Sequence, residues 1–158
     1  GVLRKICPYG AYHEASGGED MTIDSIHNGL VIDHIASGKA MQIYEMLNLG
    51  SLGCPVAMMM NVHSVKMGKK DIIKIDGEID IDLEVIGYVS PNSTINVIKD
   101  GKRVSKSHVS PPEKLIDIIK CRNPRCITTT ERDIPHIFML SGREKCEYRC
   151  MYCEGMAR

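Results

Sequence analysis

From residue 21 onward, apolar and polar positions group into short runs with clear punctuation. MTIDSI (21–26) and GLVIDHIA (29–36) are brief and rich in β-branched residues, and they predict strands. SGKAMQIYEMLNLG (37–50) changes period. There Ala40, Ile43, Tyr44 and Leu47 recur at helical spacing, Ser37 stands where an N-cap belongs, and Gly50 follows the end. PVAMMMNV (55–62) and KKDIIKID (69–76) predict two further strands, with Gly68 in the turn before the second. EIDIDLEVIGYV (78–89) supports two readings. Its alternation favours a strand, while Asp80 as a cap with Leu83 and Ile86 on one face favours a short helix. STINVIKDGKRVSKSHV (93–109) predicts a hairpin closed by Asp100-Gly101. With the ambiguous piece helical, the order from Leu30 is β-α-β-β-α-β plus a final strand, a split βαβ, ferredoxin-like unit.

SPPEKL (110–115) ends this pattern, because Pro111 and Pro112 deny a helix and favour an extended link. The expected organisation is an extension over 1–19, an α+β domain over 20–110, and a small β-rich domain over 111–158. The polar ASGGED stretch (15–20) reads as a flexible connection. About fifty residues past the prolines are too few to sustain a hydrophobic core without help.

The cysteines supply that help. Cys121 and Cys126 stand in CRNPRC, and Cys150 and Cys153 stand in CMYC. Tetrahedral zinc asks for four soft ligands at about 2.3 Å, and two tight knuckles deliver two thiolates each. Pro124 stiffens the first knuckle, and the residues between the knuckles can return as a hairpin. The expectation is a zinc-ribbon-like domain with one structural zinc ion per chain, since four cysteines leave no position open for substrate. Two disulfides or free buried thiols are the competing readings, and the first of these needs an oxidising compartment. Cys146 offers an alternative C-x3-C spacing with Cys150, but C-x2-C is the commoner knuckle.

Composition removes several classes of function. Twenty basic residues balance twenty acidic ones, which argues against a general polyanion binder. One phenylalanine and no tryptophan leave the core to aliphatic residues and ten methionines. No apolar run approaches a membrane span, and GVLRKICPYG lacks the continuous apolar stretch of a signal peptide, so a cytoplasmic protein without membrane contact is expected. Cys7 and Cys54 then read as reduced thiols.

No nucleophile motif or glycine-rich phosphate loop is legible, so no catalytic residue is assigned. Asp33 and His34 are adjacent, yet neighbours on a strand point to opposite faces and cannot easily touch. They read either as an exposed strand end or as a polar ligand site at a sheet edge. Lys70, Ile72 and Lys74 share one strand face, and Lys102, Arg103 and Lys106 follow the hairpin turn. These lysines are either a solvated edge that resists aggregation or a basic face for an anion.

GLVIDHI, GKKDIIKI, TINVI followed by GK, C-x4-C-I and C-x-Y-C-E occur in order, and together they resemble the regulatory chain of aspartate carbamoyltransferase from about Met21 to Glu154. That resemblance implies a non-catalytic chain of pyrimidine biosynthesis. Its N-terminal domain would bind nucleotide effectors, and its zinc domain would dock onto the catalytic chain. Such chains pair as homodimers, and their effectors are ATP and CTP, with UTP as co-inhibitor in some members. Carried over by motif, Asp33 would bond the ribose, His34 would lie near the phosphates, Lys74 would reach ribose and base, and Lys106 would contact the phosphates. Asn96 and Ile98 would line the pocket, Ser25 and Ile26 would lie along the base, and Cys121, Cys126, Cys150 and Cys153 would hold the zinc. For Asp33 and His34 to face one ligand, the strand must end or bulge between them.

The chain departs from the family pattern in places. Asp20 or Met21 stands where a lysine is usual, Arg125 replaces a small polar residue, and Gly101 and Arg103 replace bulkier and apolar ones. These changes bear on effector preference. Two rival readings are a stand-alone zinc-stabilised nucleotide sensor and an RNA-binding module. The second needs aromatics on an open sheet face, where these strands offer Ile, Val, Met and Lys.

Overall fold

The computed structural model describes residues 26–157. The expected extension over 1–19 with Cys7, and residues 21–25 of the strand expected over 21–26, Ser25 among them, lie outside the described residues. By backbone contacts the described chain divides into residues 26–81 with 94–107, and residues 82–93 with 108–157.

The first unit is an antiparallel sheet with one α-helix and a short 3-10 turn at Leu49–Ser51. Its strands are β1 (Gly29–Ala36), β2 (Val56–Ser64), β3 (Gly68–Ile75), β4 (Thr94–Lys99) and β5 (Lys102–His108), and the helix α1 (Ala40–Met46) connects β1 to β2. The strand order is β2-β3-β1-β4-β5. Without β5, that is the ferredoxin-like arrangement expected from the hydrophobic pattern. Alternation decides the faces. Leu30, Ile32, Ile73, Ile75 and Ile95 are buried on the core side, together with Ala40 and Ile43 of α1. Val31, Lys74 and Asn96 form one row across the opposite, open face. Asp100 and Gly101 close the last hairpin with φ of 50° and 70°. A tight hairpin turn requires positive φ at both of these positions, which is why aspartate-glycine marked it in the sequence.

Two capping assignments are corrected. Ser37 does not cap α1: the N-cap is Lys39, with no side-chain bond. The Asp71 carboxyl of β3 instead accepts from the Gly38 and Ala40 amides, and Ser37 Oγ donates to Asn61 Oδ1 at 2.7 Å. The ambiguous acidic segment does fold as a helix, α2 (Leu83–Val89), but Asp82 caps it rather than Asp80, accepting from Glu84 N at 2.9 Å.

The second unit contains α2, β6 (Lys114–Ile116), the single turn α3 (Ile127–Thr130), β7 (Ile137–Gly142) and β8 (Glu147–Cys150), with strand order β6-β7-β8. Its core gathers Leu115, Phe138 and Tyr148 around Cys121, Cys126 and Cys150. Tyr88 of α2 meets Tyr148 edge to face, with centroids 5.5 Å apart, and Tyr148 Oη donates to the Pro112 carbonyl at 2.6 Å. Gly87 lets α2 come close, since a Cβ there would lie 2.4 Å from Ser110 O. α2 therefore packs with the residues after the prolines, although the sequence pattern counts it among the elements before them. Among the described residues, no helix is long and apolar enough to cross a membrane.

Candidate functional site

The open face of the sheet carries the first constellation. Between Ile32 and Ile35, β1 advances three residues while β3 advances two, from Ile73 to Asp71. The extra residue is a β-bulge, and His34 takes the left-handed conformation within it, at φ 57°. Strict alternation is lost there. The expectation that Asp33 and His34 cannot touch is therefore corrected: His34 Nδ1 lies 3.4 Å from Asp33 Oδ2 and 3.1 Å from Thr94 Oγ1. The His34 backbone N–H also donates to Asp33 Oδ1 at 2.6 Å.

Lys70 completes this cluster. Its Nζ stands 2.7 Å from Asp33 Oδ1 and 3.0 Å from Oδ2, with both side chains largely shielded. Burial by itself would raise the Asp33 carboxyl. The Lys70 ammonium and the His34 amide outweigh it and hold the carboxyl below its ordinary value. Lys70 was legible only as one lysine among several, because its pairing with Asp33 depends on the bulge register.

The remaining expected residues distribute along the same sheet. Lys74 and Asn96 sit opposite Val31 on its two sides. Asn96 Oδ1 is buried and has no hydrogen-bond partner among the described residues. A buried acceptor left unpaired is costly and asks for a donor. Ile98 pairs with Gly29 further down the sheet, where it lines a cavity of about 380 Å³ with Leu30, Ile79 and Val97. Ile26 is buried, and Lys106 is exposed on the edge strand β5. Asp33, His34, Lys74 and Asn96 are thus brought together on adjacent strands, while Lys106 stands on β5, on the far side of β4 from β1.

The second constellation is the cysteine cluster. The Sγ atoms of Cys121, Cys126, Cys150 and Cys153 all lie within 4.8 Å of one another. Cys121 and Cys153 are 3.6 Å apart, and Cys126 and Cys150 are 3.8 Å apart. Thiolates at about 2.3 Å from a tetrahedral ion would be separated by about 3.8 Å, whereas a disulfide requires about 2.05 Å. The donor set and its spacing fit a metal ion, and Cys146 stands outside the cluster.

Local hydrogen bonds shape both knuckles. Cys126 N donates to the Asn123 carbonyl and Arg125 N to Asn123 Oδ1, each at 3.0 Å, which turns the chain between the first two cysteines. Glu154 N donates to the Cys150 carbonyl at 2.9 Å around the second knuckle. Thr128 Oγ1 lies 3.1 Å from Cys126 Sγ, where its hydroxyl can donate to a thiolate. His136 Nδ1 accepts from Cys121 N at 3.1 Å. Burial pushes the Cys121 thiol up to about 12 and raises Cys150. The Asn123 side chain and then the Gly155 amide draw Cys153 down to about 6.

Together these features define a two-part α+β protein, with a sheet that presents a polar open face and a module organised around a structural metal. Residues 21–110 match the allosteric domain of the aspartate carbamoyltransferase regulatory chain, and residues 113–158 match its metal binding domain. Among similar proteins is the aspartate carbamoyltransferase regulatory chain of Clostridium tetani, 52% identical over 135 residues, covering 85% of this chain and 94% of the relative. The regulatory chain of Bifidobacterium longum is 41% identical over 138 residues, covering 87% and 99%. This chain belongs to the aspartate carbamoyltransferase regulatory chain family, a family of regulatory rather than catalytic chains.

Proposed function

We propose that the open face of the sheet binds nucleoside triphosphates, namely ATP, CTP and UTP, and that their occupancy controls the activity of an aspartate carbamoyltransferase catalytic chain. The observation that carries this reading is the β1 bulge, which sets Asp33 and His34 beside Lys70 and one strand away from the unpartnered Asn96 Oδ1. Asp33 serves the ribose hydroxyls as acceptor, and Asn96 Oδ1 accepts a donor from the ligand. Lys70 and Lys106 meet the phosphates through charge-assisted bonds, with His34 alongside. Lys74 reaches ribose and base, while Ser25, Ile26 and Ile98 line the base.

The ion in the cysteine cluster is zinc, which four thiolates in a tetrahedral array favour. It holds the second unit in shape for docking on the catalytic chain. Exposed Ile116, Met139, Met151 and Met156 give that unit apolar surface for such a contact. β2 is an edge strand and can pair with a second regulatory chain. No disulfide joins the described cysteines, in keeping with a reducing cytoplasm.

Calorimetric titration of Lys106→Ala with ATP and CTP tests the effector site. Loss of one charge-assisted bond, about 1.5–3 kcal/mol, weakens both nucleotides by roughly ten- to a hundred-fold. Discrimination between the bases survives. Unchanged affinity for both would remove Lys106 from the site, and a wild-type chain that binds neither would remove the site itself.

A further inference from the structure

Asp71 is fully buried, and the effector reading above makes no use of it. Its position on β3 is singular among the described residues, because both neighbouring strands bulge beside it. β1 advances from Ile32 to Ile35 against Ile73 to Asp71. On the other side, β2 advances from Met59 to Val62 against Ile72 to Lys70. Each bulge contains a residue in the left-handed region, His34 at φ 57° and Asn61 at φ 60°. Such backbone persists only where the surroundings over-determine it. The Asp71 carboxyl holds the Asn61 bulge directly and secures the chain four residues past His34. Oδ1 accepts the Asn61 amide at 2.9 Å, and Oδ2 accepts the amides of Gly38 at 2.8 Å and Ala40 at 3.3 Å. Ser37 Oγ donates to Asn61 Oδ1 at 2.7 Å, tying the segment after β1 to the β2 bulge.

We infer that Asp71 is the positioning residue of the open-face site, an inference that rests on the effector reading. By anchoring the chain just after β1 and the bulge in β2, it keeps β1 in the register that sets Asp33 and His34 beside Lys70. A β1 relaxed to regular pairing would return those two side chains to opposite faces. Lys70 and Asp71 are consecutive on β3 and point to opposite faces of the sheet. One completes the cluster on the open face, and the other secures the backbone from the core side.

The test is Asp71→Asn in the full chain. Asparagine keeps the shape and one acceptor oxygen, but it turns the other position into a donor that faces N–H groups. Two readouts are taken: ATP affinity by calorimetry, and the His34 ring resonances by NMR without ligand. The expected result is a folded variant with ATP affinity lowered at least about tenfold and His34 signals moved to those of an unconstrained histidine. A variant with wild-type His34 resonances and wild-type ATP affinity overturns the inference. A wild-type chain that binds no ATP overturns the effector reading instead, and the ligand-free His34 measurement still decides the role of Asp71. If Asp71→Asn does not fold, Asp71→Glu is used, which keeps the carboxylate but displaces it by one methylene from the Gly38, Ala40 and Asn61 amides. A several-fold weaker affinity with shifted His34 signals supports the inference, and wild-type values for both overturn it.

Discussion

Removing the metal from the cysteine cluster should unfold one part of the chain and spare the other. The unit concerned holds only residues 82–93 and 108–157, and three of its buried core residues, Cys121, Cys126 and Cys150, belong to the cluster itself. Structural sites of this kind contribute about 10–16 kcal/mol at neutral pH, as much as the whole stability of a typical domain, about 5–15 kcal/mol. Chelation therefore takes away more than the apolar core can replace. The thiols fix the pH dependence. In the unfolded metal-free unit the thiols have their ordinary value of about 8.5, so near pH 7 binding by four thiolates displaces about four protons, and affinity falls steeply as pH falls. The assay is hydrogen exchange with and without excess chelator. Protection should vanish around Leu115, Phe138 and Tyr148 and persist along β1, β3 and β4. Helix α2 should lose protection with the metal unit, because Tyr88 packs on Tyr148 and Gly87 on Ser110. Protection at Phe138 and Tyr148 that survives chelation would refute this reasoning. Protection of α2 that survives while theirs is lost would refute its membership of the metal unit.

Other consequences follow from single contacts. In Lys70→Met the Asp33 carboxyl should titrate higher than in wild type, as NMR can follow. Its wild-type contribution to stability is full above the ordinary value of 3.8 and is lost as pH falls through the lowered folded value, so in the mutant that contribution should be smaller at every pH above 3.8. Tyr148→Phe leaves the Pro112 carbonyl without its 2.6 Å donor and should cost about 1–3 kcal/mol in denaturant unfolding of the metal-loaded chain. Gly87→Ala should lower the thermal midpoint. Alanine gains about 1 kcal/mol of helix propensity, but its Cβ would meet the Ser110 carbonyl at 2.4 Å, and backbone cannot yield as a side chain can.

Much of this fold is legible in the sequence because its local signals agree. Period-2 runs, the helical spacing of Ala40 and Ile43, and Asp100-Gly101 each specify one element with little help from tertiary contacts. The metal cluster is legible for the same reason, since four cysteines in two knuckles carry their own spacing. Three features were not legible, and each depends on register or on distant partners. The bulge at His34 inserts one residue with no local signature, and it reverses the geometric objection to the Asp33-His34 pair. Asp71 caps α1 from another strand, whereas the local pattern points only to the nearer Ser37. The packing of α2 with the metal unit follows from Tyr148 and Ser110, residues that lie far along the chain.

Occupancy of the bulged face should control a catalytic partner, and reconstitution decides whether it does. The full chain is mixed with its cognate aspartate carbamoyltransferase catalytic chain, and the rate of carbamoyl transfer to aspartate is followed as ATP and CTP are added, for wild type and for Lys74→Ala. Wild type should confer a nucleotide-dependent change in rate, and Lys74→Ala should assemble equally well but respond only at nucleotide concentrations about tenfold or more higher. An assembled wild-type complex whose rate ignores both nucleotides, or a Lys74→Ala complex with an unaltered response, would contradict this reading.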